Sequence, residues 1–136
     1  MPDLKETDYL LSEDSRENVA HSWKEFIASH GLSEQQIEQF KQYFHLLNHY
    51  NKQFNLTAIV SARGIVKYHF EDSLALLKSG FDFSSASGLV DVGAGAGFPA
   101  LPLKIMKPEL PVVLIEPNGK KRNFLDMVVK ELGLSD

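Results

Sequence analysis

The chain has 136 residues, of which 43% are hydrophobic and 24% charged, and it contains no cysteine. This composition is that of an ordinary soluble globular domain, and it excludes disulfide scaffolds, zinc ribbons, collagenous repeats and low-complexity chains. The sequence has neither a long apolar run nor a hydrophobic stretch behind its first residues, so we expect a cytoplasmic protein with no membrane partner.

Charge is unevenly distributed along the chain, whose net charge is -4. The first 17 residues contain six acidic side chains against two basic ones, and we predict a mobile acidic arm over residues 1–13. Residues 39–70 hold four lysines or arginines, three histidines and no acid. Such a basic stretch can face phosphate groups, although a solvated helix face is the more common use of so few charges.

Apolar spacing predicts two amphipathic helices in the N-terminal part of the chain. Residues 15–30 repeat apolar side chains every three or four positions, and Gly31 follows where a helix end favours a left-handed residue. Ser33 and Gln36 have the spacing of a capping box, and an apolar stripe continues from there to about Lys52. The aromatic side chains of this second stripe are more typical of packing between helices than of a platform for stacked bases.

A third helix is expected to begin after Ser61, as its N-cap, and to run to about Lys78. Its apolar positions are Ile65, Tyr68, Leu76 and Leu77. Residues 14–80 are therefore predicted to form a helical subdomain. The cluster of small residues at 81–87 is expected to be a linker, because the periodicity changes on its far side.

Residues 88–136 alternate strand and helix patterns. Leu89–Val92 and Val112–Ile115 are short apolar runs of the kind found in buried parallel strands. Helical stretches follow each of them, at about 99–107 and 120–132. The order strand, helix, strand, helix predicts a right-handed parallel unit, so the expected fold class is α/β, with the helical subdomain placed before it.

A glycine-rich turn connects the first of these strands to the helix after it. The turn reads G-x-G-x-G, with Gly93, Gly95 and Gly97, and Asp91 precedes it by two residues. Glycine permits positive φ and lets backbone N–H groups approach a ligand closely. The dinucleotide fingerprint G-x-G-x-x-G is not met, because Phe98 stands where its last glycine would be, and an NAD-linked enzyme is therefore disfavoured.

Glu116 ends the second strand, 23 residues after Gly93. Nucleoside sites of α/β proteins place a carboxylate at this point, where it accepts hydrogen bonds from the two ribose hydroxyls. A glycine-rich turn alone is nearly as compatible with a purely structural role. The turn and the acid together favour a nucleoside cofactor, and S-adenosylmethionine over NAD.

Four stretches of the chain carry a further pattern, namely Asn55–Ala58, His69–Leu74, Val90–Leu103 and Lys120–Leu125. In a similarity that runs from about residue 35 onward, they resemble successive motifs of the RsmG, or GidB, family of bacterial 16S ribosomal RNA (guanine-N7) methyltransferases. The resemblance implies that the chain contains the first half of the Rossmann-like parallel sheet of a class I methyltransferase. It also implies an activity, which is methylation of a guanine N7 of 16S ribosomal RNA, in the small ribosomal subunit, with S-adenosylmethionine as the methyl donor. The family more often has glycine, aspartate and arginine at three positions, which here are Ala100, Glu116 and Tyr68.

The resemblance also implies which residues form the site within the partial cofactor-binding domain, residues 88–136. The expected cofactor-binding residues are Asp91, Gly93, Ala94, Gly95, Gly97, Phe98, Glu116 and Pro117. His69, Asp72 and Ser73 are expected to border the active site. Alternatively, His69 and Asp72 pair with each other and fasten the helical subdomain onto the sheet.

No catalytic base is predicted, because guanine N7 has an available lone pair and its methylation requires positioning and exclusion of water. The candidate RNA-binding residues are Lys52, Arg63, Lys67, Lys121 and Arg122. The last two open a helix, where the dipole disfavours cations unless phosphate compensates them. Asn55 and Thr57 serve either as local turn residues or as substrate contacts. We expect no metal, since no third ligand accompanies His45 and His49, which are four residues apart in the second helix. We also expect no DNA partner.

The cofactor-binding part is short for the fold that it resembles. After Gly88 there is room for two strands and two helices, whereas a doubly wound cofactor fold has two multi-strand halves. We therefore expect a C-terminally truncated methyltransferase whose sheet has uncovered apolar faces. The alternative is a shortened, non-catalytic module that binds RNA or a partner and retains half of the cofactor site.

Overall fold

The computed structural model describes residues 16–134, so the predicted acidic arm at 1–13 lies outside the described residues. Within these residues, five helices and two strands make up the fold, together with a short 3₁₀ turn at Phe83–Ser85. In chain order they are α1 (Arg16–His30), α2 (Glu34–Phe54), α3 (Ala62–Gly64, Ile65–Glu71, Asp72–Leu74 and Ala75–Lys78), β1 (Leu89–Val92), α4 (Ala100–Met106), β2 (Val112–Ile115) and α5 (Gly119–Glu131). Among the described residues, no helix is both long and apolar enough to cross a membrane.

The predicted boundaries of α1 and α2 are confirmed. Gly31 follows α1 with a φ of 58°, a conformation that costs glycine little. At the start of α2, the Ser33 side chain accepts the Gln36 N–H at 3.2 Å, and the Gln36 side chain accepts the Ser33 N–H at 3.0 Å. This reciprocal capping box satisfies two N–H groups that the helix itself leaves without partners.

Helix α3 is not uniform, and here the periodic prediction was wrong for two residues, Tyr68 and Leu76, of which Leu76 is 42% exposed in the 3₁₀ turn that ends the helix. Its central segment, Ile65–Glu71, is a π-helix, in which backbone bonds span five residues rather than four. Ile65 and Phe70, five positions apart, are both buried, whereas Tyr68 is 58% exposed. The spacing of three and four that we assumed holds for an α-helix, and the wider turn carries Tyr68 outward.

The two strands form a parallel sheet in which Leu89 pairs with Val112 and Val92 with Ile115. Alternate residues of each strand face the helices, and the others point away from them. The outward side chains are exposed by about half or more, at Val90, Val92, Val113 and Ile115. The α/β fold class is confirmed, with a helical region followed by the beginning of a Rossmann-like parallel sheet.

The core is built chiefly from aromatic side chains of the helical region. Phe26, Phe40, Tyr43, Phe44 and Phe70 are each at most 1% exposed, which confirms that the aromatic stripe of α2 packs between helices. The same core extends to α5, whose Phe124 and Val128 are fully buried. A side-chain amide of α2 also reaches the end of α5, where Gln39 Nε2 donates to the Leu132 carbonyl at 3.0 Å. The helical region therefore fixes the position of the sheet and its helices.

Candidate cofactor site

The glycine-rich loop, residues 93–99, leaves β1 by pairing with the end of β2. The N–H groups of Gly93 and Ala94 both donate to the Ile115 carbonyl, at 2.7 and 3.1 Å. Gly93 and Gly95 have φ of 74° and 56°, and a Cβ at either position would meet no atom closer than 3.9 Å. Glycine is needed there for the backbone conformation, and the space beside the loop is open to a ligand.

Gly97 is required for a second reason, which is close packing against the helical region. Its φ is 99°, and a Cβ there would lie 2.6 Å from both the Leu101 side chain and the Tyr43 hydroxyl. The Tyr43 hydroxyl also donates a hydrogen bond to the Ala96 carbonyl. The sequence placed Tyr43 only in the core, although the hydroxyl of a buried tyrosine usually has a hydrogen-bond partner, which was the signal for a polar contact.

Glu116 reaches back to the glycine-rich loop from the end of β2. Its Oε2 accepts the Gly95 N–H at 3.0 Å, and its Oε1 accepts the Asn118 N–H at 3.3 Å. Each carboxylate oxygen has a further lone pair, so the group can still accept hydrogen bonds from a ligand. Asn118 caps α5 through the N–H groups of Lys120 and Lys121. Pro117 lies between these two anchors and is exposed.

Asp91 carries the only carboxylate of β1, and it faces the helices rather than the exposed side of the sheet. Burial raises the pKa of Asp91 above its ordinary value of 3.8, the backbone N–H of Ala100 opposes the rise, and the negative charge of Glu116 adds to it. The Oδ2 atom of Asp91 is buried and has no hydrogen-bond partner among the described residues. A buried carboxylate oxygen without a partner is costly, and such groups often mark a ligand site.

His69 lies between Thr57 and the loop residue Phe98. Its Nε2 atom is 2.7 Å from Thr57 Oγ1, and its ring stacks on that of Phe98, with centroids 4.3 Å apart and planes 2° from parallel. Burial lowers the pKa of His69 from its ordinary 6.5, and the charge of Asp72 opposes this shift. The Thr57 hydroxyl also accepts the Ile59 N–H at 3.1 Å, so Thr57 combines a local turn role with a contact to the site.

The other two residues expected at the border of the site are arranged differently from His69. The Ser73 hydroxyl donates to the His69 carbonyl, which is a bond within α3, and Asp72 is exposed. The hydrogen-bond partner of His69 is therefore Thr57 rather than Asp72. Asn55, which has a φ of 51° and donates its backbone N–H to the Asn51 carbonyl, ends α2 as a left-handed cap.

The candidate RNA-binding side chains occupy three places. Arg63 and Lys67 line a groove of about 740 Å³ between α1 and α3, in which Glu25 and Glu71 also lie. Lys52 is exposed near the end of α2, and Lys121 is half-buried in the first turn of α5. Arg122 holds the turn before α5, because its guanidinium donates to the carbonyls of Glu116 and Pro117 at 3.1 and 3.3 Å. Among residues 16–134, no group of three histidine, cysteine or acidic side chains is arranged to hold a metal ion.

Comparison with known proteins relates the chain to one family. Residues 36–136 match the family model described as rRNA small subunit methyltransferase G, GidB. The ribosomal RNA small subunit methyltransferase G of Lactococcus lactis subsp. cremoris (strain MG1363) is 46% identical over 105 residues, which are 77% of this chain and 44% of the relative. The protein of the same name from Streptococcus pneumoniae serotype 19F (strain G54) is 46% identical over 104 residues, 76% of this chain and 44% of the relative. The chain thus spans less than half the length of these curated relatives.

Proposed function

The chain belongs to the rRNA small subunit methyltransferase G family, and from this premise we propose that it serves the transfer of a methyl group from S-adenosylmethionine to N7 of a guanine in 16S ribosomal RNA. The substrate is either free 16S ribosomal RNA or that RNA within the small ribosomal subunit, and the reaction takes place in the cytoplasm.

One observation carries the cofactor assignment. The partnerless Oδ2 of Asp91 and the oriented carboxylate of Glu116 both lie beside the open glycine-rich loop. S-adenosylmethionine carries two positive charges, on its sulfonium and its ammonium, and two ribose hydroxyls, all of which suit carboxylates. The pyrophosphate of NAD is negative, and the Gly95 N–H that could have bound it is already donated to Glu116.

The residues of this chain supply binding and positioning. Glu116 accepts hydrogen bonds from the ribose hydroxyls, and Asp91 faces the positively charged methionine end of the cofactor. Gly93, Gly95 and Gly97, with Ala94, Phe98 and Pro117, shape the backbone against it. When bound, the cofactor supplies an electrophilic methyl group. Because guanine N7 has a free lone pair, no side chain has to remove a proton, and catalysis consists of alignment and exclusion of water.

The RNA is held by basic side chains outside the glycine-rich loop. Lys52, Arg63, Lys67 and Lys121 are the candidates for phosphate contacts, and Arg122 adds charge to the turn that it stabilises. Of these, Arg63 and Lys67 line one groove, together with Glu25 and Glu71.

The cofactor assignment is tested by titrating the chain with S-adenosylmethionine in a calorimeter. Gly95→Asp fills the open space beside the loop and should push the like-charged Glu116 carboxylate out of its orientation, so we expect binding to weaken about 100-fold or more. Gly31→Asp is the matched control, since Gly31 has a φ of 58° against 56° for Gly95 and equally open space, at the end of α1. Equal affinity in wild type and Gly95→Asp would exclude this loop as the site.

The reaction is tested by incubating the chain with methyl-labelled S-adenosylmethionine and 16S RNA or small subunits, followed by a cleavage chemistry specific for N7-methylguanine. Label at N7 supports the methyltransferase proposal. RNA binding without transfer favours the second candidate, a binding module that retains half of the cofactor site. The observation behind that candidate is the exposed apolar face of the sheet, at Val90, Val92, Val113 and Ile115.

A further inference from the structure

Phe98 lies between two aromatic rings that come from different helices of the helical region. His69 of α3 stacks on it at 4.3 Å, and Tyr43 of α2 lies at 5.3 Å with the ring planes 28° apart. Phe98 belongs to the glycine-rich loop, whose glycines at 93, 95 and 97 leave the backbone many accessible conformations. The three-ring stack is therefore a contact through which the helical region can restrict the loop.

Each outer ring of the stack is itself fixed. The Thr57 hydroxyl accepts the Ile59 N–H and has its own proton available for His69 Nε2 at 2.7 Å. The backbone of Thr57 is bonded on both sides by Asn51, whose Oδ1 accepts the Thr57 N–H at 2.8 Å and whose Nδ2 donates to its carbonyl at 2.9 Å. Burial lowers the pKa of the His69 ring, which favours the neutral form in this position. The His69 ring thus has one orientation defined by α2, the loop after it and α3.

Tyr43 adds a second restraint, because it touches the loop backbone as well as Phe98. Its hydroxyl donates to the Ala96 carbonyl and lies only 2.6 Å from the position that a Cβ on Gly97 would take. Tyr43 is completely buried, so the carbonyl that it binds is not solvated by an alternative partner on that side. The restraint falls one residue beyond Gly95, the residue that orients Glu116.

We propose that His69 and Tyr43 are positioning residues that hold the glycine-rich loop in its cofactor-binding conformation by enclosing Phe98. They act through Phe98 and the loop backbone rather than by touching reacting atoms. The effect on the cofactor rests on the function proposed above, whereas the effect on the loop does not. The helical region would then determine cofactor affinity as well as carry RNA contacts on the same helix, α3.

The test is hydrogen–deuterium exchange of the Gly95 and Gly97 amides, read by NMR on the whole chain, together with calorimetric S-adenosylmethionine affinity. His69→Ala removes the ring that stacks on Phe98 and should speed exchange at both amides roughly three- to tenfold, which corresponds to the free energy of one aromatic stacking contact. Affinity for S-adenosylmethionine should weaken by a similar factor. His69→Phe keeps the stacking surface and should restore both values to within about twofold of wild type. His21→Ala is the matched control, since His21 is an exposed histidine of α1 paired only with Glu25 in the described structure.

Unchanged exchange at Gly95 and Gly97 in His69→Ala would overturn the proposal. If His69→Ala instead speeds exchange throughout α5 as well, Thr57→Val decides, because it keeps the His69 ring and the local volume while removing the hydroxyl. A selective rise at the loop amides in Thr57→Val supports the proposal, and no selective rise overturns it. Wild type that fails to bind S-adenosylmethionine contradicts the proposed cofactor but leaves the exchange result valid. Binding that is equally tight in wild type and His69→Ala overturns the positioning role.

Discussion

The helical region and the two-stranded sheet differ in how completely they bury their apolar side chains. Around Phe70 the helical region has rings from α1, α2 and the loop in mutual contact, and most are fully enclosed. The sheet buries one face only, and on the other face Val92 is 76% exposed. Most of the packing free energy thus lies in the helices, while the candidate site lies at the carboxyl ends of the strands.

It follows that the candidate cofactor site is held rigid largely by helices that lie outside the glycine-rich loop and the strands. The loop and Glu116 are bonded to each other, but the contacts that anchor them to a packed core run through Tyr43, Phe98 and α5. Three substitutions and one pH titration test this dependence of the site on the helical region, in order of decreasing effect.

Phe70→Ala should have the largest effect, because Phe70 is fully buried at the centre of the aromatic cluster. Removing a buried phenylalanine costs about 3–5 kcal/mol of unfolding free energy. Val92→Ala, on the exposed face of the sheet, should change it by no more than about 0.5 kcal/mol. Urea denaturation followed by circular dichroism measures both. Similar losses in the two variants would mean that the two regions contribute equally to stability.

Gly97→Ala should come second, because it combines a left-handed φ with a clash against Tyr43 and Leu101. We expect a loss of about 2–4 kcal/mol, the sum of conformational strain and overpacking. Gly93→Ala has the positive φ without the clash and should lose only about 1–2 kcal/mol. The difference between the two denaturation midpoints measures the close packing of the loop against Tyr43 and Leu101, and equal midpoints would contradict it.

Asp91→Asn should slightly stabilise the chain near neutral pH while weakening S-adenosylmethionine binding. The pKa of Asp91 is raised in the folded state, so its ionisation removes stability as the pH rises from 3.8 through the folded value. Asparagine keeps the acceptor for the Ala100 N–H and removes the repulsion from Glu116. The gain should be a fraction of a kcal/mol because solvent screens a partly exposed group. Denaturation at several pH values checks this, and a loss of stability at pH 7 would contradict the sign.

The smallest effect concerns the titration of His69. Its pKa is lowered in the folded state, so the unfolded chain binds the proton more readily, and stability should fall as the pH decreases through the window below 6.5. The expected slope is shallow because the ring is partly exposed and solvent screens its charge. His69→Phe should lack this component, whereas His21→Ala should keep it. Denaturation midpoints between pH 7 and pH 5 measure the difference.

Features that depend on neighbouring residues could be predicted from the sequence, whereas contacts between distant parts of the chain could not. The bounds of β1 and β2 coincide with the predicted runs, and the Ser33 capping box was recognised, because strand patterns and caps depend on neighbouring residues. The Tyr43 hydroxyl meets Ala96 across 53 positions, and no local pattern encodes such a contact. The π-helix was also missed, since the wider turn follows from packing rather than from a residue type. The roles of the predicted site residues remain predictions.

The π-helical segment of α3 has a consequence for changes in chain length. In an α-helix, inserting or removing one residue rotates every later side chain by about 100° about the helix axis. The wider turns of Ile65–Glu71 already hold one residue more than an α-helix needs for the same rotation, and His69 lies within them. Removing one residue ahead of His69 would therefore restore the α-helical repeat and leave the His69 ring on nearly the same side, beside Phe98. This segment should tolerate such a loss better than the purely α-helical parts of the chain.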